Sequence, residues 1–208
     1  MAARKEKPLI DWWAYENQMR NVGFTAICGI DEAGRGPLAG PVYAAAVILP
    51  HGCTIEGLND SKKLTAAQRE ELYDVICAQA VAWGIGSASI EEIETVNILN
   101  ATYLAMQRAV AELNPMADSA LVDGNRLPNL EIPARAVVKG DALSASIAAA
   151  SVLAKVTRDR YMMMMHDLYP QYAFDQHKGY GTALHCARIL EYGPSPIHRK
   201  SFLKKICK

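Results

Sequence analysis

Residues 25–49, TAICGIDEAGRGPLAGPVYAAAVIL, constrain the fold of this chain more than any other stretch. An apolar run, 26–30, breaks into two adjacent carboxylates, Asp31 and Glu32. Gly34-Arg35-Gly36-Pro37 follows, Gly40-Pro41 closes the turn, and a second apolar run leads away over 42–49. Unpaired carboxylates are costly inside a core, so the end of the first run must reach solvent or hold cations. An isolated Asp-Glu pair favours a solvated strand end. The glycine loop tips the balance. Gly34 and Gly36 let backbone N–H groups come close to a ligand, and Arg35 adds a permanent cation. Acids for metal beside amides for phosphate or sugar form the layout of a phosphoryl-transfer site.

The remaining chain reads as alternating strands and helices. The spacing of Leu9, Trp12, Trp13, Met19 and Val22 predicts an amphipathic helix over 9–22. It forms an N-terminal appendage, residues 1–24, ahead of strands 26–30 and 42–49. A polar loop over 50–64 carries Asn59-Asp60-Ser61-Lys62-Lys63, either a plain turn or a group of donors that touches phosphates. Thr65 caps a helix over 66–80 with Leu72, Val75 and Ile76 inward. A third strand follows over 81–88. Ser89 and Glu92 have capping-box spacing for a short helix, and Asn97 caps a longer one over 98–113. Asn114-Pro115 ends it.

Strand 119–122 stops at Asp123-Gly124-Asn125, and strand 135–138 at Lys139-Gly140-Asp141. A long helix is expected over 142–166, with Ala148-Ala149-Ala150 allowing close backbone packing and Lys155, Arg158, Asp159 and Arg160 on its polar face. Tyr180 stands between glycines in a polar loop before a last helix over 182–192. Helix 98–113 crosses over to a strand parallel to its sheet neighbour. With strand 26–30 as that neighbour, Asp31 and Asp123 stand side by side at carboxyl ends, where open α/β sheets bind ligands. Asp141 completes a set of four acids with Glu32. Such a set suits two hard divalent cations and an in-line displacement at phosphorus.

Composition sets outer bounds. A chain of 208 residues, half of them hydrophobic, is long enough for one domain with a small appendage. No apolar run spans a bilayer, and MAARKEKP lacks the apolar middle of a signal peptide. The five cysteines, 28, 53, 77, 186 and 207, form no CxxC, so neither zinc nor a disulfide framework is expected and a reducing cytoplasm fits. Zero net charge by itself argues against a nucleic-acid partner. The distribution argues the other way. Residues 179–208 hold six Lys or Arg and one acid, Glu191. The balancing acids lie upstream, where bound metal neutralises part of them and leaves a basic surface. On charge alone, the tail is equally a frayed, solvated terminus.

The segment GIDEAGRGPLAGPV resembles the first motif of the type 2 ribonucleases H, the bacterial ribonuclease HII family. NDSKKL at 59–64, VDGN at 122–125, VVKGD at 137–141, IAAASVLAKVTRD at 147–159 and HKGYGT at 177–182 resemble further family blocks in the family's order, across residues 25–200. The resemblance implies a ribonuclease H-like α/β fold, with a central five-stranded mixed sheet flanked by helices over 25–208. It implies a monomer that depends on Mg²⁺ or Mn²⁺ and cleaves RNA in RNA–DNA hybrids and at single ribonucleotides within duplex DNA. By motif match, Asp31, Glu32, Asp123 and Asp141 are its catalytic carboxylates and metal ligands. Gly34-Arg35-Gly36 is the ribonucleotide loop, Lys62 a substrate contact and Tyr180 the sugar-stacking ring. Ala33 and Ala142 depart from the family's usual valine and serine, at positions that hold no metal.

Lys62, Lys63, Lys155, Arg158 and the tail cations from Arg199 onward are expected to grip the nucleic-acid backbone without reading sequence. Two alternatives stay open. One is another metal nuclease on the same fold, such as an integrase-like enzyme, against which the GRG and KGYGT loops argue. The other is a non-catalytic hybrid-binding protein, against which the presence of all four acids argues.

Overall fold

The computed structural model describes residues 10–205. At its centre is a mixed five-stranded sheet in the order β3-β2-β1-β4-β5. The strands are β1 Ile27–Ala33, β2 Val42–Ile48, β3 Ala82–Ala88, β4 Ser119–Asp123 and β5 Ala134–Val137. The first three form an antiparallel meander. β4 runs parallel to β1, and β5 parallel to β4. Six α-helices flank the sheet among the described residues: α1 Ala14–Asn21, α2 Ala66–Gln79, α3 Ile90–Ala111, α4 Ala145–Leu168, α5 Phe174–His177 and α6 Ala183–Tyr192.

Strand periodicity of two sorts the core into two layers. Cys28, Ile30, Ala44, Ala46 and Val122 face α3 through Ala101, Ala105, Met106 and Ala109. Ala45 and Val47 face Ala149, Val152 and Leu153 of α4, with Leu72 and Ile76 of α2 beyond them. Small side chains on both sides bring helix and sheet backbones close. On the α4 side the approach is very close at Gly29, where a β-carbon would stand 2.1 Å from the backbone carbon of Ser146. Only glycine lets the first turn of α4 sit on β1 there, two residues before Asp31 on the same face.

Local signals in the sequence account for the helix starts. Ser89 and Glu92 close a reciprocal capping box, as do Thr65 and Gln68. Asn97 sits at φ +66° and breaks the helical path inside α3; its Oδ1 accepts from the N–H groups of Leu99 (3.0 Å) and Asn100 (3.2 Å). The short and long helices expected there are the two segments of α3 on either side of this kink.

Several expectations need correction. β1 runs through the acids to Ala33, because the ladder to β2 continues with Asp31 opposite Ala45 and Ala33 opposite Tyr43. α1 covers Ala14–Asn21; Leu9 lies outside the described residues, and Trp12 and Trp13 precede the helix. Val22, placed on the apolar stripe by spacing, is its exposed C-cap. Met19, with Tyr15 and Phe24 beside it, supplies the contact with Leu121, Val137 and Ile147 instead. Val75 also faces outward, since Leu72 and Ile76, four apart, already define the buried face of α2. α4 begins at Ala145 rather than 142, because one turn of 3-10 helix, Gly140–Ala142, precedes it.

Crowding at Gly29 makes a simple test. Gly29→Ala is expected to cost about 1–3 kcal/mol of unfolding free energy, as overpacking does, and Gly29→Val more. Urea unfolding measures it; an unchanged midpoint for both variants would mean that α4 is not seated on β1 at this residue.

Candidate active site

The carboxyl ends of β1 and β4 lie side by side, with Ile30 opposite Val122. Asp31 projects to the α4 face of β1, Asp123 ends β4, and Asp141 lies in the 3-10 turn between β5 and α4. One carboxylate oxygen from each lies within 4.8 Å of the others. Asp31 and Asp141 are 5% and 6% exposed. The 3-10 turn is pinned to the end of β4 because Asp123 Oδ1 accepts from Gly140 N at 2.6 Å.

Glu32, one residue on, faces the α3 side by strand alternation. It borders a cavity of about 180 Å³ shared with Thr102, Tyr103, Asp123, Asn125 and Arg126. Its carboxylate accepts from Arg35 Nη1 at 3.1 Å. The structure thus brings three of the four expected acids into one cluster and sets Glu32 at its edge.

Burial and mutual repulsion set the electrostatics. Burial, then the charges of Glu32, Asp123 and Asp141, hold the Asp31 carboxyl well above the usual range. Burial, then Asp141, raises Asp123, and the Gly140 N–H partly offsets this. Burial raises Glu32 against the pull of Arg35. Lys62 Nζ reaches Asp141 Oδ2 at 2.8 Å, and this hydrogen bond raises the lysine above its ordinary value. The Lys62 and Arg35 side chains are 75% and 51% exposed, so water screens both cations and their pairs are weak. The cluster therefore carries more negative charge than its neighbours offset, and all of its donors are hard oxygens. Those two properties fit Mg²⁺ or Mn²⁺ and exclude soft-metal ligation.

The glycine loop beside the cluster is held from beneath by two buried arginines. Arg199 donates from Nη2 to Gly34 O (2.6 Å), from Nη1 to Arg35 O (3.1 Å) and Pro37 O (2.9 Å), and from Nε to Gly40 O (2.8 Å). Arg158 donates to Pro41 O (3.2 Å), Ala39 O (3.0 Å) and Lys178 O (3.0 Å). Gly34, at φ +102°, has no room for a β-carbon, which would stand 2.2 Å from Arg158 Nε. Burial, then Arg158, lowers Arg199 to about 9, while the four carbonyl oxygens favour its charged form. In a trans peptide the C=O of one residue and the N–H of the next point oppositely. With the carbonyls of Gly34 and Arg35 turned to Arg199, the N–H groups of Arg35 and Gly36 point away from it, at exposed residues.

Tyr180, 43% exposed, completes the rim. Its Cε1 lies 4.0 Å from where a Gly36 β-carbon would be, and Leu38 N donates to Gly179 O at 2.8 Å, tying the two loops together. Lys155 Nζ and Arg158 Cζ sit 5.7 and 5.8 Å from the centre of its ring.

The expected phosphate grips divide sharply. Arg158 and Arg199 are fully buried and hold backbone carbonyls, so neither is a surface cation. Lys155 is half-buried and paired with Asp159 at 2.7 Å. Lys62, Lys63, Lys200 and Lys204 remain exposed. Residues 206–208 lie outside the described residues. The sequence reading missed Arg126 and the cavity, the inward role of Arg199, and Glu16 of α1. Glu16 is buried and accepts from Ser144 Oγ (2.6 Å), Ser146 N (3.1 Å) and Ser146 Oγ (2.5 Å) at the start of α4. A tail arginine among five other cations, or a glutamate on a polar helix, carries no local mark of such a partner.

Removing the Arg199 guanidinium should destabilise the protein rather than weaken nucleic-acid binding alone. Each orphaned buried acceptor costs about 1–3 kcal/mol, so Arg199→Met is expected to lower stability by ~3 kcal/mol or more. Arg199→Lys should recover little, because one ammonium cannot span four carbonyls. Lys204→Ala should leave thermal unfolding unchanged. Unaltered unfolding of Arg199→Met would remove the arginine from the loop's support.

A family model for Ribonuclease HII matches residues 28–205. Ribonuclease HII of Dechloromonas aromatica is 60% identical over 176 residues, covering 85% of this chain and 90% of that protein. The crystal structure of ribonuclease H2 from Pyrococcus horikoshii superposes with TM-score 0.72 at 26% identity, over 88% of this chain and 97% of that one. At the level of fold alone, a Bst-RNase HIII crystallised with Mn²⁺ gives TM-score 0.64 at 15% identity, over 92% of this chain and 70% of that one. The family match takes in the three clustered acids, both rim loops and Arg199; the chain belongs to the ribonuclease HII family and is an endoribonuclease.

Proposed function

We propose that this chain hydrolyses the RNA strand of RNA–DNA hybrids and cuts on the 5′ side of single ribonucleotides in duplex DNA, leaving 3′-hydroxyl and 5′-phosphate ends. The observation that carries the reading is the cluster of buried Asp31 and Asp141 with half-buried Asp123, beside an exposed rim of Arg35, Gly36 and Tyr180. Residues 25–208 are the catalytic domain, and 1–24 an appendage that braces the start of α4 through Glu16.

Asp31, Asp123 and Asp141, with Glu32 at the edge, would hold Mg²⁺ or Mn²⁺. Bound there, such ions supply a water nucleophile at neutral pH and neutralise charge developing on phosphoryl oxygens. The chain's own groups supply recognition. A ribose 2′-OH both donates and accepts hydrogen bonds, and it is what separates RNA from DNA. The outward N–H groups of Arg35 and Gly36 donate to it, and the missing side chain of Gly36 lets the sugar approach. Tyr180 lies flat against the neighbouring deoxyribose, where a 2′-OH would crowd the ring. Lys62 leaves Asp141 for a substrate phosphate. Lys62, Lys63, Lys200 and Lys204 grip the backbone without reading bases.

Asp31→Asn, Asp123→Asn and Asp141→Asn are each expected to cut turnover by ~10² or more, with Glu32→Gln less affected. The metal-free Asp31→Asn protein should melt no lower than the parent, since one repelling charge is gone, and its melting temperature should respond less to added Mg²⁺. Near-parental turnover at saturating Mg²⁺ would sink the assignment.

End-mapping on a DNA duplex with one ribonucleotide checks the chemistry. Attack by water leaves a 3′-hydroxyl and a 5′-phosphate; a 2′,3′-cyclic phosphate would mean that the ribose had attacked. On the same duplex, Tyr180→Ala should lose most activity and Tyr180→Phe retain much of it. Parental rates for Tyr180→Ala would refute the stacking role.

A further inference from the structure

Beneath Tyr180 lie three buried histidines that the chemistry above does not use. His177 ends α5, His185 is on the first turn of α6, and His198 lies just beyond Ser195. The His177 and His185 rings stack with centres 4.2 Å apart, and Phe174 packs edge-on against both.

The partners fix where each proton sits. A neutral imidazole has one donor and one acceptor nitrogen. His185 Nδ1 is 2.9 Å from Tyr180 O, which only accepts, so Nδ1 carries the proton and Nε2 accepts. His198 Nε2, 3.0 Å from His185 Nε2, is then the donor. That leaves His198 Nδ1 to accept from Ser195 N (2.9 Å) and Ser195 Oγ (2.7 Å). The run is unbroken: Ser195 to His198, His198 to His185, His185 to the carbonyl of Tyr180. Next to it, His177 Nε2 donates to Tyr172 O at 2.9 Å, and its Nδ1 accepts from Gly179 N at 3.2 Å. Neutral imidazoles thus hold the backbone on both sides of the tyrosine.

Burial keeps them neutral. It lowers His185 and His198 to about 4, and lowers His177 as well. The titratable neighbours are chiefly the histidines themselves, with Asp175 and Lys178 facing His177. Folded values below the ordinary 6.5 mean that the run contributes stability above pH 6.5 and loses it as pH falls toward 4. The same segment also fixes the glycine loop: His198 pairs with Ala39, and Arg199 holds four carbonyls of that loop. One short stretch of chain therefore sets the distance between the two halves of the rim.

We propose that His185, backed by His198 and Ser195, is a positioning residue for Tyr180, fixing the ring's height over the deoxyribose that neighbours the ribonucleotide. This rests on the reading of Tyr180 as a sugar platform. Productive stacking needs placement within about 0.5 Å, which the fixed Tyr180 carbonyl supplies and a free loop does not. Asparagine at 185 can place an amide N–H near the Nδ1 position, so it keeps the donor to Tyr180.

The test is a double-mutant cycle on duplex DNA carrying one ribonucleotide. His185→Ala should lower kcat about tenfold with little change in Mg²⁺ requirement, and His185→Asn should restore most of it. A uniform RNA–DNA hybrid, with no deoxyribose under the ring, should lose distinctly less. In a Tyr180→Ala background, His185→Ala should change the rate by less than twofold, because the positioned group is gone. An equal loss in both backgrounds, or none in the parent, overturns the proposal. Parental activity of Tyr180→Ala instead overturns the stacking reading beneath it. If His185→Ala does not fold, His198→Met removes the donor to His185 and should reproduce the substrate-selective loss. Imidazole ¹⁵N shifts of the parent protein then decide the geometry: a proton on His185 Nε2 rather than Nδ1 overturns the run.

Discussion

Three carboxylates within a few ångströms of one another, two of them buried, are the constraint to which the surrounding structure answers. Burial, and then the charges of their acidic neighbours, raise the cost of ionising Asp31 and Asp123. The fold holds them together with few compensations: the N–H of Glu32 on Asp31, the N–H of Gly140 on Asp123, and the exposed Lys62 on Asp141. Parallel pairing of β1 with β4 places two of the acids, and the turn before α4 delivers the third. Glycine at position 29 and the Glu16 contacts at Ser144 and Ser146 keep that helix start in place. The local stability sacrificed is what makes the site competent to hold cations.

A second principle organises the substrate side. The rim loops have little secondary structure of their own, so side chains satisfy their carbonyls. Arg158 and Arg199 do for these loops what a neighbouring strand does for an edge, with fixed planar forks of donors. The guanidiniums are fully buried, so their charge is invested in shape, not in attracting nucleic acid. The balanced net charge fits this arrangement: part of the positive charge is interior, and part of the negative charge lines the site.

Acid cluster and rim rest on different parts of one scaffold. The acids rest on the sheet and the start of α4. The rim rests on α5, α6 and the segment carrying His198 and Arg199. Their meeting at the carboxyl end of β1 puts an exposed rim of backbone N–H groups and an aromatic ring beside a cluster of hard oxygen ligands.

Much of this was legible in the sequence because it is locally encoded. Apolar runs named the strands, the Ser89–Glu92 spacing started α3, Asn97 marked the break inside it, and acids after those runs pointed to the strand ends. Boundaries were less legible where a partner decided them: β1 extends past Asp31 because β2 continues the ladder, and Val75 turns outward because Leu72 and Ile76 already face α4. The roles of Arg199, Glu16, His185 and His198 were not legible at all. A side chain's periodicity tells which face is apolar, but not which distant carbonyl or hydroxyl will meet it. Arg199 finds Gly34 across 165 positions, and Glu16 finds Ser146 across 130. Such pairings exist only once the sheet has closed and buried groups must find partners, so the tertiary structure alone decided them.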